Sequence, residues 1–125
     1  MDSRDEAREI VRRLVSGYND KDIRTLESLY APDVQLWSSL GESRKGRGEV
    51  IAHLIDLFQR LPDEQMTAEL VVTDGETVVV ELSSRGSSPH GDYRIDFTEV
   101  LEVREGLVAR IKTYIDPADV AAAEG

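Results

Sequence analysis

The second half of the chain is a succession of strand-like runs joined by short turns, and nothing else in the sequence restricts the fold as much. Residues Met66–Thr73, Glu76–Ser84, Asp92–Val103 and Leu107–Ile115 all read as strands. Asp74-Gly75 and Glu105-Gly106 place turn-forming pairs between them, because such pairs tolerate the positive φ angles that tight hairpins require. Strands connected this way run antiparallel, since a parallel neighbour needs a crossover of a dozen or more residues. Residues 85–91, with Gly86, Pro89 and Gly91, read as a longer loop.

The first half is helical. Ser3-Arg4-Asp5-Glu6 has the form of a capping box, and Ile10, Val11, Leu14, Val15 and Tyr18 follow at helical spacing until Gly17 and Asn19-Asp20-Lys21-Asp22. A short second helix carries Ile23, Leu26, Leu29 and Tyr30 on one face, and Pro32 is expected to stop it. A brief strand over Val34–Ser39 and a polar loop through Gly48 come next. A third helix over Glu49–Leu61 then places Val50, Ile51, Leu54, Leu57, Phe58 and Leu61 on one stripe and ends at Pro62. Helices segregated from a meander predict an α+β architecture: a curved, antiparallel or mixed sheet packed on three helices and enclosing a pocket. Residues 1–116 are expected to form a single domain, and 117–125 a small polar tail that frays or folds over an opening.

At 125 residues one domain with a real core is expected, and the absence of cysteine removes disulfide and thiolate chemistry. The net charge of −10 argues against nucleic acid, whose phosphates demand cationic partners. No apolar run approaches the roughly 20 residues of a membrane-spanning helix. The N-terminus lacks the basic-then-apolar form of a signal peptide, so a cytoplasmic protein is expected. Metal binding is not expected, because His53 and His90 are far apart and have no carboxylate at ligand-like spacing. Arg44-Lys45-Gly46-Arg47 is the one compact basic cluster and reads as a solvated loop.

The residue that most invites a functional question is Glu99. In the run Arg94–Val103, Ile95, Phe97, Leu101 and Val103 share one strand face, and Glu99 falls on that same face. An ionised carboxylate among apolar side chains is costly unless it is paired, hydrogen-bonded or neutralised by a raised pKa. Glu99 is therefore either a satisfied structural acid or a working one.

Several loose motifs in a specific order carry a resemblance over the whole length. They are Tyr18-Asn19-Asp20-Lys21-Asp22, Leu29-Tyr30-Ala31-Pro32-Asp33-Val34, Gly46-Arg47-Gly48-Glu49-Val50-Ile51, Val103-Arg104-Glu105-Gly106-Leu107-Val108 and Tyr114-Ile115-Asp116-Pro117. Together they resemble the SnoaL-like group of the nuclear-transport-factor-2-like superfamily, which also includes ketosteroid isomerases and limonene-epoxide hydrolases. The resemblance implies a cone-shaped α+β barrel with an apolar cavity, usually a homodimer, and no cofactor. Against the isomerases, Glu99 matches the protonated acid, Ser38 stands where the proton-shuttling aspartate would be, and Leu14 stands where a tyrosine donor would be. Against the epoxide hydrolases, Thr113 stands in place of the last-strand aspartate and Ser84 in place of another member of the set.

One acid and several donors suit proton transfer to or from a small hydrophobic carbonyl compound, as in isomerisation, cyclisation or dehydration. Glu99 and Tyr18 are the catalytic candidates, with Tyr18 as the expected hydrogen-bond partner of Glu99. Leu14, Leu36, Ser38, Leu54, Phe58, Phe97 and Thr113 are the substrate-binding candidates. A ligand-binding or dimerisation module without turnover stays open as an alternative, as does an epoxide-hydrolase-like activity. Trp37, of opposite parity to Leu36 and Ser38, is expected in packing or in an interface, with Val100 and Tyr114. His53 is expected half-exposed, and Asp116 in a cap or turn.

Overall fold

Asp2, rather than Ser3, begins the first helix. In the computed structural model, which describes residues 2–124, its side chain accepts the Arg4 and Asp5 backbone N–H groups at 2.9 and 3.0 Å. The side chain of Ser3 lies outside the described residues, so the capping-box expectation is not addressed there. Helix α1 (Ser3–Asp20) ends at Lys21 in the left-handed conformation, and α2 (Ile23–Leu29) begins at Asp22, whose carboxylate accepts from Thr25 N–H.

The second helix ends earlier than Pro32 suggested. Strand β1 (Tyr30–Ser38) starts directly after it, and Pro32 sits inside the strand where the pairing register breaks between Tyr30 and Gln35. A proline is tolerated at such an irregularity because no ladder hydrogen bond is asked of it. The polar loop expected before Gly48 contains a short strand, β2 (Ser43–Lys45), which pairs antiparallel with β1. Arg44 and Lys45 thus belong to an edge strand rather than a free loop. Helix α3 (Arg47–Arg60) follows, and then β3 (Gln65–Asp74), β4 (Thr77–Ser88), β5 (Gly91–Arg104) and β6 (Leu107–Ile115). The expected loop over 85–91 is mostly strand, because the β4–β5 ladder continues to Ser88 opposite Gly91.

The sheet has the order β2-β1-β6-β5-β4-β3. β1 and β6 pair in parallel and every other pair is antiparallel, so the sheet is mixed. Glu105 and Gly106, at φ 53° and 78°, form the turn between β5 and β6. Helix α1 packs on β3 and α3 packs on β1, while Trp37, Val72 and Tyr114 on the other sheet face stay exposed. Leu26, Leu29, Val34, Val50, Val78, Val80, Leu101 and Val108 are essentially inaccessible and form the centre of the core. Burial of such side chains stabilises the fold by roughly 1.5–3 kcal/mol each.

The architecture is α+β as expected, with one addition. The segment after β6, expected to fray or to fold over an opening, forms a fourth helix, α4 (Pro117–Glu124). Asp116 caps it by accepting the Ala118 N–H at 2.9 Å, and α4 packs against β5 and β4 with Ala123 fully buried.

Candidate active site

Strand register places the site. Ser38 on β1 pairs with Thr113 on β6, Thr113 with Glu99 on β5, Glu99 with Val80 on β4, and Val80 with Val71 on β3. One cross-sheet row therefore carries three adjacent polar side chains on the face turned toward the helices. The rows around it are apolar: Leu36, Ile111, Leu101 and Val78 on one side, Ile115, Phe97 and Leu82 on the other. The curved sheet, α1, α3 and α4 line a part-open cavity of about 250 Å³, just below the usual size of small-molecule sites.

Leu14, Tyr18, Leu36, Ser38, Leu54, Phe97, Glu99 and Thr113 all line this cavity. Phe58 does not. Its ring stands behind Tyr18, edge to face at 5.1 Å, and the Lys21 ammonium lies 5.4 Å from its centre. Phe58 thus packs against Tyr18, outside the residues that line the cavity. Val120 and Ala123 of α4 also reach the cavity wall, so the C-terminal segment closes one side of it.

Glu99 keeps part of its surface accessible, and it is a cavity residue. Thr113 Oγ1 donates to its Oε2 at 2.9 Å. Burial pushes the Glu99 pKa above the usual carboxylate range, and the threonine hydrogen bond opposes that shift. The expected bond between Tyr18 and Glu99 is absent. Tyr18 Oη donates instead to Glu64 Oε1 at 2.5 Å, because Glu64 follows the end of α3 and comes to lie directly beside α1. Burial first, and then the charge of Glu64, raise the Tyr18 pKa and keep the phenol a donor.

Glu64 is the residue that sequence reasoning missed. It is 5% exposed, lines the cavity, and accepts a second phenol from Tyr93 at 2.8 Å. Locally Pro62-Asp63-Glu64 reads as a polar connection, and its two tyrosine partners lie 46 and 29 residues away. A signal was present in Tyr93, which has the same strand parity as Ile95, Phe97 and Glu99 and therefore needs a partner for its inward hydroxyl.

Two further polar groups at the wall have partners. Ser38 Oγ accepts the Leu40 N–H at 3.1 Å. His53 lies at the wall with Arg44 Nη2 3.5 Å and Glu42 Oε2 3.8 Å from its Nδ1. Its pKa is lowered, mainly by desolvation, with Glu42 acting in the opposite sense and Arg44 in the same one. Among the described residues no three His, Asp or Glu side chains gather as a metal-ligand group, and no helix is long and apolar enough to cross a membrane.

A curved mixed sheet backed by helices, with a small apolar cavity and a buried acid on its wall, defines a cavity-bearing α+β domain of the nuclear-transport-factor-2-like kind. Within that class the chain belongs to the SnoaL-like domain family, whose pattern matches residues 11–111. The same fold recurs in a candidate polyketide cyclase from Xanthomonas campestris, 20% identical, covering 99% of this chain and 100% of that one at a TM-score of 0.89. It recurs in a candidate isomerase from Bacillus subtilis, 20% identical, covering 98% and 95% at 0.88. TerC, co-crystallised with polyporic acid, is also 20% identical, covering 95% and 98% at 0.84. No curated protein matches the chain by sequence.

Proposed function

We propose that the protein acts on a small, largely apolar carbonyl compound, with Glu99 carrying a proton inside the cavity, as in an isomerisation or cyclisation. The observation that supports this most is Glu99 itself: a carboxyl with a raised pKa on the wall of an apolar cavity, with Thr113 as its hydrogen-bond donor. In its protonated form such a group donates to a carbonyl oxygen. In its ionised form it takes a proton from the carbon beside the carbonyl and returns it elsewhere, so no electrons are gained or lost. The folds shared with a candidate cyclase, a candidate isomerase and a polyporic-acid complex add support for a small-molecule ligand.

A binding module without turnover is the second reading, and one observation favours it. The other polar side chains of its row, Thr113 and Ser38, are hydroxyls, which are poor bases, and both are hydrogen-bonded, Thr113 to Glu99 and Ser38 from the Leu40 N–H. An epoxide-hydrolase-like activity has less support, because Thr113 and Ser84 present hydroxyls where that reaction needs carboxylates.

Deuterium uptake at the carbon beside the carbonyl of tetralone, followed by NMR in D₂O, tests the proposal. Wild type is expected to exchange faster than the buffer and Glu99→Gln to fall to the buffer rate. Exchange at the buffer rate in both proteins, across a panel of ketones of this size that bind, would leave only the binding module, and equal rates above it would remove Glu99 from the proposal.

A further inference from the structure

Glu64 is held with more care than a loop residue requires. On one side Asp63 accepts the Ser87 N–H at 3.1 and 3.2 Å and also takes its hydroxyl. On the other, Asn19 brackets Met66, donating to its carbonyl at 2.8 Å and accepting its N–H at 2.6 Å. These bonds already pin the connection between α3 and β3 without help from Glu64. Burying a carboxylate to pin it again is a costly solution, since desolvation must be offset by new hydrogen bonds.

A third feature points the same way. Gly86 lies directly opposite Tyr93 in the β4–β5 ladder. A Cβ at Gly86 would sit 2.6 Å from Tyr93 Oη and 2.9 Å from its Cζ. The missing side chain is the slot through which Tyr93 reaches Glu64. A glycine on β4, two tyrosines on α1 and β5, and the clasp at Asp63 thus converge on the placement of one carboxylate at the cavity wall.

Each carboxylate oxygen can accept two hydrogen bonds. Tyr18 takes one position on Oε1 and Tyr93 takes one on Oε2. Both phenols point at Glu64 as donors, so its oxygens act as acceptors. Glu99, also on the cavity wall, is held by Thr113 Oγ1 at 2.9 Å. Tyr18, which donates to Glu64, also lines the cavity. The cavity wall therefore carries two acids held in different ways, Glu64 by Tyr18 and Tyr93 and Glu99 by Thr113.

We propose that Glu64 is a ligand-orienting residue that accepts a hydrogen bond from a hydroxyl group of the bound molecule, so that the cavity selects small hydroxylated carbonyl compounds. This rests on the small-carbonyl reading above. It adds which end of the molecule faces which acid.

Calorimetric titration of wild type, Glu64→Gln, Tyr93→Phe and Glu99→Gln with tetralone and its ring-hydroxylated isomers tests it. For at least one isomer the hydroxyl is expected to improve wild-type affinity about 10- to 100-fold, the equivalent of a hydrogen bond to a charged group. Glu64→Gln should erase most of that preference while leaving tetralone binding nearly unchanged. Tyr93→Phe, which keeps the carboxylate and frees the position Tyr93 occupies, should widen the preference. If Glu64→Gln weakens both compounds in the same ratio, or if the preference is unchanged in both variants, Glu64 is a structural pin and the proposal fails. If neither compound binds wild type, the small-carbonyl reading and this proposal fall together. Loss of the preference in Glu64→Gln, with Glu99→Gln binding both compounds as wild type does, would uphold Glu64 and count against Glu99.

Discussion

Thr113 Oγ1 donates to Glu99 Oε2 at 2.9 Å across directly paired positions of β6 and β5. The bond ties Glu99 to its neighbouring strand, and it favours the charged form against the burial that raises the pKa. Stability and acidity at this site are therefore coupled.

The sign of that coupling gives the first expectation. The folded-state pKa of Glu99 is raised above the 4.5 of an ordinary glutamate. Below that ordinary value both folded and unfolded chains hold the proton, and the site has no cost. As pH rises through the interval up to the folded pKa, the unfolded chain releases its proton first, and folding stability falls. Glu99→Gln removes this contribution. It should be at least as stable as wild type near neutral pH and lose that advantage under mildly acidic conditions. Urea denaturation across the pH range, paired with NMR titration of the Glu99 carboxyl, checks it; a carboxyl titrating near the ordinary value would refute it.

Thr113→Val keeps the shape of the side chain and removes the donor. The Glu99 pKa should move further upward, because the one hydrogen bond that favours the charged form is gone. Stability should fall by about 1–3 kcal/mol at a pH where Glu99 is ionised and by less where it is protonated. A uniform loss at every pH would mean that the threonine contributes packing alone.

Gly86→Ala should act through Tyr93. The new Cβ displaces the ring from Glu64, so the variant should lose about 1–3 kcal/mol, similar to Tyr93→Phe. The two losses should not add in the double variant, because both remove one contact. Additive losses in a denaturation cycle would show that Gly86 serves some other purpose.

The outer sheet face is expected to pair two copies of the chain. Trp37 and Tyr114 stack edge to face at 5.3 Å yet remain 41% and 45% exposed. From Trp37 the row runs through Lys112, Val100, Val79 and Val72, giving a largely apolar band across the sheet. Light scattering should give a dimer mass for wild type and a monomer mass for Trp37→Glu combined with Tyr114→Glu. A wild-type monomer at tens of micromolar would remove the expectation.

Local patterns made most of the fold legible. Alternation identified the long strands, and for β6 even the bounds Leu107–Ile115 agree, because inward and outward positions differ so clearly in polarity. Where local signals competed with distant ones they misled. Pro32 reads as a helix stop, but β1 begins before it because pairing with β6 outweighs the local signal. Ser43–Lys45 is polar and short, and only the open edge of β1 makes it a strand. The α4 segment is weakly patterned, and its burial comes from packing on β5 and β4.

The sequence by itself determined which strand face is apolar, that Glu99 sits on it, and that helices and meander are segregated. Each is a matter of spacing along one element, where covalent geometry alone sets the side-chain directions. Only the tertiary structure decided who meets whom. It gave Tyr18 to Glu64 rather than Glu99, set Phe58 behind Tyr18, and used Gly86 to admit Tyr93. Those pairings depend on how helices and strands far apart in sequence come to rest against one another, and hydrogen-bond partners at such separations leave no periodic mark in the chain.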